Sequence, residues 1–375
     1  MSDARPRETP RSSEHARLAE APSGGHGDWK AIGPYLAERA WGTVREDYSA
    51  DGRAWEYFPY EHARSRAYRW SEDGLAGVCD LEQHLCLALA FWNGRDPFLK
   101  ERIFGLGGSE GNHAEDAKEY WWYVDATPTS SWLRWRYHYP QAEFPYARLR
   151  EENAKRGKQD REFELVDTGI FDGDRYWQIE ADYAKAAPRD LCLRLRIRNA
   201  GPDPAELHVL PTLWFRNRWS WEDGTPRPTI RAARSRDAAA PASAIAEDER
   251  GRLQLAAGPD PAGRAPELLF CDNETNAVRL FGAATTAAYP KDGINDHVVG
   301  GAATVNPARQ GTKLACWYRV SVAPGESVEL RLRLARADSG AALDLGAGFE
   351  RTLADRQREA DEFYAQLRPA AASDD

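Results

Sequence analysis

Residues 41–74, WGTVREDYSADGRAWEYFPYEHARSRAYRWSEDG, concentrate Arg, Asp, Glu, His and aromatic rings and are poor in Leu, Ile and Val. Such a segment cannot serve as an ordinary core strand, because buried charges are costly unless they pair. Two readings are open. One is a salt-bridged surface loop, with Arg45 meeting Glu46 or Asp47, and Arg64 and Arg66 meeting Glu72 or Asp73. The other is a polar, aromatic-lined wall for a sugar. Guanidinium and carboxylate groups make bidentate hydrogen bonds, which suits hydroxyls, and Trp or Tyr faces stack on the apolar side of a sugar ring. In that second reading Trp41, Tyr48 and Trp70 offer stacking faces, Arg45, Arg64 and Arg66 donate, and Asp47 and Glu72 hold the guanidinium groups.

Other chemistry is thin. GLGGSEGN (105–112) lacks the spacing of a dinucleotide fingerprint, since position 110 is Glu, and reads as a mobile loop. A phosphate-binding G-x-x-x-x-G-K-[ST], an H-E-x-x-H and a G-x-S-x-G are all missing. The five cysteines form no C-x-x-C pair and, Cys79 apart, fall inside apolar or alternating runs, so they read as small buried hydrophobes. DGINDH (292–297) has the wrong spacing for a calcium loop. No metal and no cofactor is expected. With 59 Asp and Glu, some carboxylate pair is always available, so composition alone cannot establish glycoside hydrolysis.

The elements that would hold such a wall are strands. LCLRLRIRN (191–199) and VELRLRLAR (328–336) alternate with period two, giving one apolar and one charged face. LCLALAFW (85–92) is apolar throughout and reads as buried on both sides. Turns such as NAGPDP and APGES separate many short runs of this kind, which predicts a sandwich or a barrel. EYWWYVDATP (119–128) reads as a strand with Tyr120, Trp122 and Val124 on one side and Trp121, Tyr123 and Asp125 on the other. Aromatic groups on both sides predict a cover on both, with a domain interface favoured over a sugar for most of 119–140. Residues 232–266 read as long loops around one strand. Two helices are expected, over 146–156 and 349–367, the second amphipathic. The net charge of −9 argues against nucleic acid, and no apolar run is long enough to span a membrane. Residues 1–28 read as a disordered polar tail without a signal-peptide core, so a cytoplasmic location is expected.

GPYLAERAWGTVREDYSADGRAWEYFPYEHARSRAYRWSEDG, LALAFWNGRDPFLKERIFGL, GNHAEDAKEYWWYVDATPT, YPQAEFPYARLREEN, LPTLWFRNRWSW and YPKDGINDHVVG together resemble the N-terminal region of bacterial proteins of the glycoside hydrolase family 63 type, the processing α-glucosidases. The resemblance runs over roughly residues 28–367. It implies a mainly β fold: a large antiparallel two-sheet supersandwich of the galactose mutarotase-like kind over 29–345, a linker helix over 346–368 and a short tail over 369–375. In the family the chemistry belongs to a following barrel of paired helices, where two carboxylates act with inversion. No catalytic residue is therefore expected in this chain, and without a barrel the apolar side of the linker helix is expected to be exposed. The expected function is to support a barrel supplied in cis or in trans, with 41–74 at the mouth for an oligosaccharide or glucoside. A stand-alone carbohydrate-binding module and a mutarotase-like epimerase are the alternatives; the latter needs a His facing a carboxylate across a concave sheet.

Overall fold

The computed structural model describes residues 12–20, 28–33, 59–70, 73–106, 116–233, 240–284, 287–337 and 343–369. Two antiparallel sheets dominate it. The six-stranded sheet runs β1 (Ile32–Gly33), β2 (Leu75–Asp80), β3 (Leu85–Trp92), β10 (Ala205–Phe215), β16 (Lys313–Val322) and β14 (Glu267–Cys271). The nine-stranded sheet runs β15 (Gln310–Gly311), β11 (Thr229–Ala232), β12 (Ala242–Asp248), β13 (Gly251–Ala257), β17 (Ser327–Arg336), β9 (Asp190–Asn199), β8 (Tyr176–Ala187), β7 (Trp132–Pro140) and β6 (Tyr120–Ala126). A short pair, β4 (Gly105–Leu106) and β5 (Asp116–Ala117), stands apart. The expected mainly β supersandwich is thus the fold.

Strand alternation builds the core. Leu191, Leu193, Leu195 and Ile197 of β9 and Leu330, Leu332 and Leu334 of β17 face inward, against Leu87, Leu89 and Phe91 of β3 and Val209 and Leu213 of β10. Trp135, Tyr137, Tyr139 and Trp177 fill the same layer. All five cysteines are buried and free. β3 is buried on both faces, as its sequence predicts, because Cys86, Ala88 and Ala90 lie beneath other elements.

Charge covers the outward face of the nine-stranded sheet in register. Arg134 of β7, Asp182 of β8 and Arg194 of β9 are direct cross-strand neighbours, and so are Arg136, Glu180 and Arg196. Asp182 accepts from Arg134 Nε at 2.7 Å and from Arg194 Nη2 at 2.8 Å. Glu180 accepts from Arg136 Nε at 3.0 Å and from Arg196 Nη2 at 2.9 Å.

Five helices appear among the described residues: α1 (Ser13–Glu20), α2 (Tyr146–Ala154), α3 (Ala277–Phe281), α4 (Gly293–Gly300) and α5 (Ala347–Leu367). None is long and apolar enough to cross a membrane. α5 corrects one expectation. Its apolar side is buried except at the C-terminal end, where Leu367 is 57% exposed: Phe349, Leu353 and Ala360 pack on Trp132, Ala184 and Cys192 of the nine-stranded sheet, where small residues in β8 and β9 leave room. α1 corrects another, since it lies inside the stretch expected as a tail. Its fully buried Glu14 accepts from Thr129 N, Thr129 Oγ1 and Ser131 Oγ, each at 2.7 Å, so a polar sequence is anchored by hydrogen bonds where no apolar face is available. The 232–266 region holds a hairpin, β12 and β13, in place of one strand. Small Ala244 and Ala246 take the inward positions of β12, which disguised it.

β6 is a strand, with Tyr120 and Trp122 stacked on the same side and Trp121 packed on the core. The expected alternation stops at an irregularity between Tyr123 and Asp125. Nor are both sides covered: Trp122, Tyr123 and Val124 are 43%, 41% and 45% exposed.

Candidate functional site

The outward face of the six-stranded sheet is apolar and lies under loops. Leu210, Leu269, Ala315 and Ala90 meet Leu99, Ile294 and Val298 there. The segments that close over it are 59–70, 96–106, 272–279 and 289–298. They carry charged groups into the interior, and each charge has to find its partner there.

Lys291 sits at the centre and is fully buried. Its Nζ donates to Ala63 O at 2.8 Å, Arg66 O at 2.9 Å and Asp73 Oδ2 at 2.6 Å, so its three donors fix the 63–66 turn to Asp73. Asp73 is itself buried, and its Oδ1 has no hydrogen-bond partner. Glu101 lies 3.3 Å from Lys313 Nζ. Burial raises the Glu101 carboxyl above its ordinary range; Lys313 opposes this and nearby Asp73 adds to it. Arg102 Nη1 donates to Tyr68 Oη at 2.9 Å, while Tyr60 Oη donates to Arg102 O at 2.8 Å. Burial pushes the Tyr68 hydroxyl far up, so it stays protonated.

A second knot ties α3 and α4 to the 59–70 segment. Asp292 accepts from Ser65 Oγ at 2.7 Å and from Asn276 Nδ2 at 3.1 Å, and pairs with Arg279. Arg279 also pairs with Asp296. Hydrogen bonds from Arg279 and Asn295 overcome burial and hold the Asp296 carboxyl below the usual range.

The site residues predicted from the sequence divide accordingly. Trp41, Arg45, Asp47, Tyr48 and Glu72 lie outside the described residues. Arg64 and Arg66 belong to the network's rim; of their two expected partners, Asp73 is taken by Lys291 and Glu72 lies outside the described residues. The Arg64 guanidinium lies 4.7 Å from the Phe98 ring centre and donates to Glu61 O, and that of Arg66 lies 5.7 Å from the Phe281 ring centre. Trp70 stacks, but on cations: Arg216 is 4.4 Å and Arg69 5.4 Å from its ring centre. Arg216 also donates to Arg69 O at 2.7 Å and lines a cavity of only ≈30 Å³ with His84, Arg218 and Trp219, room for about one water.

Sequence reading missed Glu101, Arg102, Lys291, Asp292 and Lys313. The available signal was polarity in the wrong place. FLKERIF puts three charges between apolar residues, and YPKDGIND places Lys and Asp next to an apolar helix. DGINDH is the start of α4 and the seat of Asp292 and Asp296. Among the described residues no group of three or more His, Cys, Asp or Glu could hold a metal ion. The network's cations and carboxylates are engaged with one another, so the arrangement can position loops and present donors at its rim. For the epimerase alternative, a buried-edge pair exists between Glu206 and His208, 3.2 Å apart. These are neighbours on one strand, not groups facing each other across the sheet.

No protein-family model matches the chain. It is 40% identical over 385 residues to the uncharacterized protein YMR196W of Saccharomyces cerevisiae, a match covering 92% of this chain and 35% of that protein. The chain therefore spans about a third of the length of this curated relative. Among solved structures, a polysaccharide lyase matches at 12% identity over 68% of this chain and 25% of that one, with a TM-score of 0.29. An Escherichia coli protein described as a candidate aldose 1-epimerase matches at 10% identity over 57% and 67%, with a TM-score of 0.28. Likenesses this weak carry no argument about function.

Proposed function

We propose that this chain is the β-supersandwich part of an α-glucosidase-like glycoside hydrolase of the family 63 type, non-catalytic by itself, acting with a catalytic barrel supplied in cis or in trans. One observation supports the reading above the others. Four segments of the quoted resemblance, within 61–74, 87–106, 210–221 and 289–300, are far apart in sequence and converge on one face of the six-stranded sheet. The same segments also cover the apolar outward face of that sheet, so the network serves the fold as well as the rim. Rigid loops with Arg64, Arg66 and Arg216 at their rim suit a wall that meets hydroxyls. In this reading the 41–74 segment faces the substrate mouth, with Trp41, Arg45, Asp47, Tyr48 and Glu72 joining the described rim.

The test uses two proteins: this chain alone, and this chain joined to the rest of the yeast relative. Glucose release is measured from aryl α-glucosides and short α-linked oligosaccharides, with product anomers followed by NMR. The chain alone is expected to release none and the longer protein to release glucose with inversion. Turnover by purified chain alone, or an inactive but folded longer protein, overturns the proposal.

A further inference from the structure

At one end of the sandwich the two sheets part. β3 ends and β10 begins there, facing the end of β7 and the start of β8. A groove of ≈630 Å³ opens between them, within the roughly 300–1,000 Å³ usual for small-ligand clefts. Asn93 and Arg95 on its wall adjoin the 96–106 segment, Asn93 donating to Asp96 Oδ1 at 3.4 Å, but none of Lys291, Asp73, Glu101 and Lys313 lines it.

Its walls mix apolar surface with polar groups, several of which are paired. Glu206 is held by His208, and the direction of that bond can be derived. The Trp317 indole N–H can only donate, and it lies 3.1 Å from His208 Nδ1, so Nδ1 accepts. The proton of the neutral ring then sits on Nε2 and is donated to Glu206 Oε1 at 3.2 Å. Burial lowers the His208 pKa, which favours that neutral form. Arg175 is held by Asp203 at 2.7 Å. Gln141 Nε2 donates to Asn199 Oδ1 at 2.7 Å, and Asn93 Nδ2 to Ala142 O at 2.8 Å. At the base, Trp177 is fully buried, and its indole N–H has no hydrogen-bond partner.

We propose that this groove binds a neutral, hydroxyl-rich ligand, a mono- or disaccharide. Arg95 and Arg175 face Glu143, Asp203 and Glu206 in its lining. Two cations against three carboxylates disfavour a phosphate or other anion. The mixture of donors and acceptors matches hydroxyl groups, each of which donates and accepts. The groove and the proposed barrel-facing rim are separate sites, so either can fail without the other.

The experiment is saturation-transfer NMR and calorimetry on the full chain, with glucose, maltose, lactose and cellobiose as probes and glucose 6-phosphate as the anionic control. At least one neutral sugar is expected to bind. Glu206→Gln and Arg175→Ala should each weaken it about tenfold or more, as for loss of a charge-assisted hydrogen bond. Ala142→Trp, at an exposed position, should block the groove without unfolding the chain. Trp70→Ala should leave this binding unchanged, which separates the groove from the other site. The proposal is overturned if no neutral sugar binds, if glucose 6-phosphate binds in preference, or if folded groove variants bind as well as the original.

Discussion

The outward faces of the two sheets solve the same problem in opposite ways. On the nine-stranded sheet, cations and carboxylates alternate across neighbouring strands, so Arg134, Asp182 and Arg194 meet because the register brings them together. On the six-stranded sheet the strands turn mostly apolar residues outward, and apart from Lys313 on β16 the charges arrive on loops and on α3 and α4. Lys291 meets Asp73 across 218 residues of sequence. The Arg136–Glu180–Arg196 part of the first keeps a path to water, with Arg136 and Arg196 38% and 36% exposed, although Asp182 beside it is buried. The second does not, since Lys291 is fully buried. A charge near water can lose its partner and be rehydrated. A charge without water cannot, so the loop network is fixed in a single arrangement while the strand ladder tolerates change.

Breaking each with one substitution tests that contrast. Lys291→Met strips Asp73 of its cation and leaves two carbonyl groups unpaired, and removing one partner of a buried pair costs about 3–5 kcal/mol. Arg196→Met removes a partly exposed group whose partner Glu180 keeps Arg136, and should cost no more than about 1 kcal/mol. Urea unfolding of both variants measures the difference. Equal losses would remove the distinction between the two faces.

The same contrast decides what could be read from the sequence. The alternating runs 191–199 and 328–336 announced both the sandwich and its charged outer face, because a strand's period places every second residue on one side. The hairpin of β12 and β13 was hidden by alanine, which carries little periodic signal. The candidate site was only half legible. Segment 41–74 was picked out by its composition, and its described part, Arg64, Arg66 and Trp70, does border the network. Its centre was not found, because charges set among apolar residues, as Glu101 and Lys291 are, do not show in sequence which of them tertiary closure takes out of water. Of the two partners expected for Arg64 and Arg66, Glu72 lies outside the described residues, and Asp73, near in sequence, is occupied by a lysine more than two hundred residues away.

Protonation sharpens the comparison, because the two faces should respond to pH with opposite signs. Burial alone would raise the Asp182 carboxyl, but hydrogen bonds from Arg134 and Arg194 outweigh it and hold the group below its ordinary range. A depressed folded pKa gives stability that is present above the unfolded value, about 3.9, and is lost as pH falls through the folded one. Asp182→Asn should therefore cost about 2 kcal/mol at neutral pH, and the cost should disappear in strong acid. Glu101 is the reverse. Its folded pKa is raised by burial in spite of Lys313. Its contribution is present below the unfolded value, about 4.3, and is lost as pH rises through the folded one. Glu101→Gln should thus be most costly in acid and least costly at neutral pH. Urea unfolding over a pH series reads both slopes. Slopes of one sign would show that the two environments do not differ as described.

Small stability effects belong to the rim, and there the question changes from folding to function. Arg64 and Arg66 lie over Phe98 and Phe281, and Phe281 is 58% exposed. A cation–aromatic contact contributes about 0.5–1 kcal/mol at an exposed ring such as Phe281 and about 2 kcal/mol where the ring is buried, as Phe98 is. Arg66→Ala should lower the melting temperature only slightly in this chain, and Arg64→Ala somewhat more. If the rim borders a substrate mouth, the same substitutions in the longer protein, joined to the rest of the yeast relative, should reduce kcat/KM for an α-glucoside by about tenfold, the loss expected for one charge-assisted hydrogen bond. A rise in KM with kcat unchanged would indicate contacts made equally to substrate and transition state, and a fall in kcat would indicate contacts made only in the transition state. Two results would move these arginines from the site to the scaffold. One is a loss of several kcal/mol in stability with activity per folded molecule intact, which would make them part of the buried network. The other is unchanged stability with unchanged kinetics, which would leave the rim facing solvent.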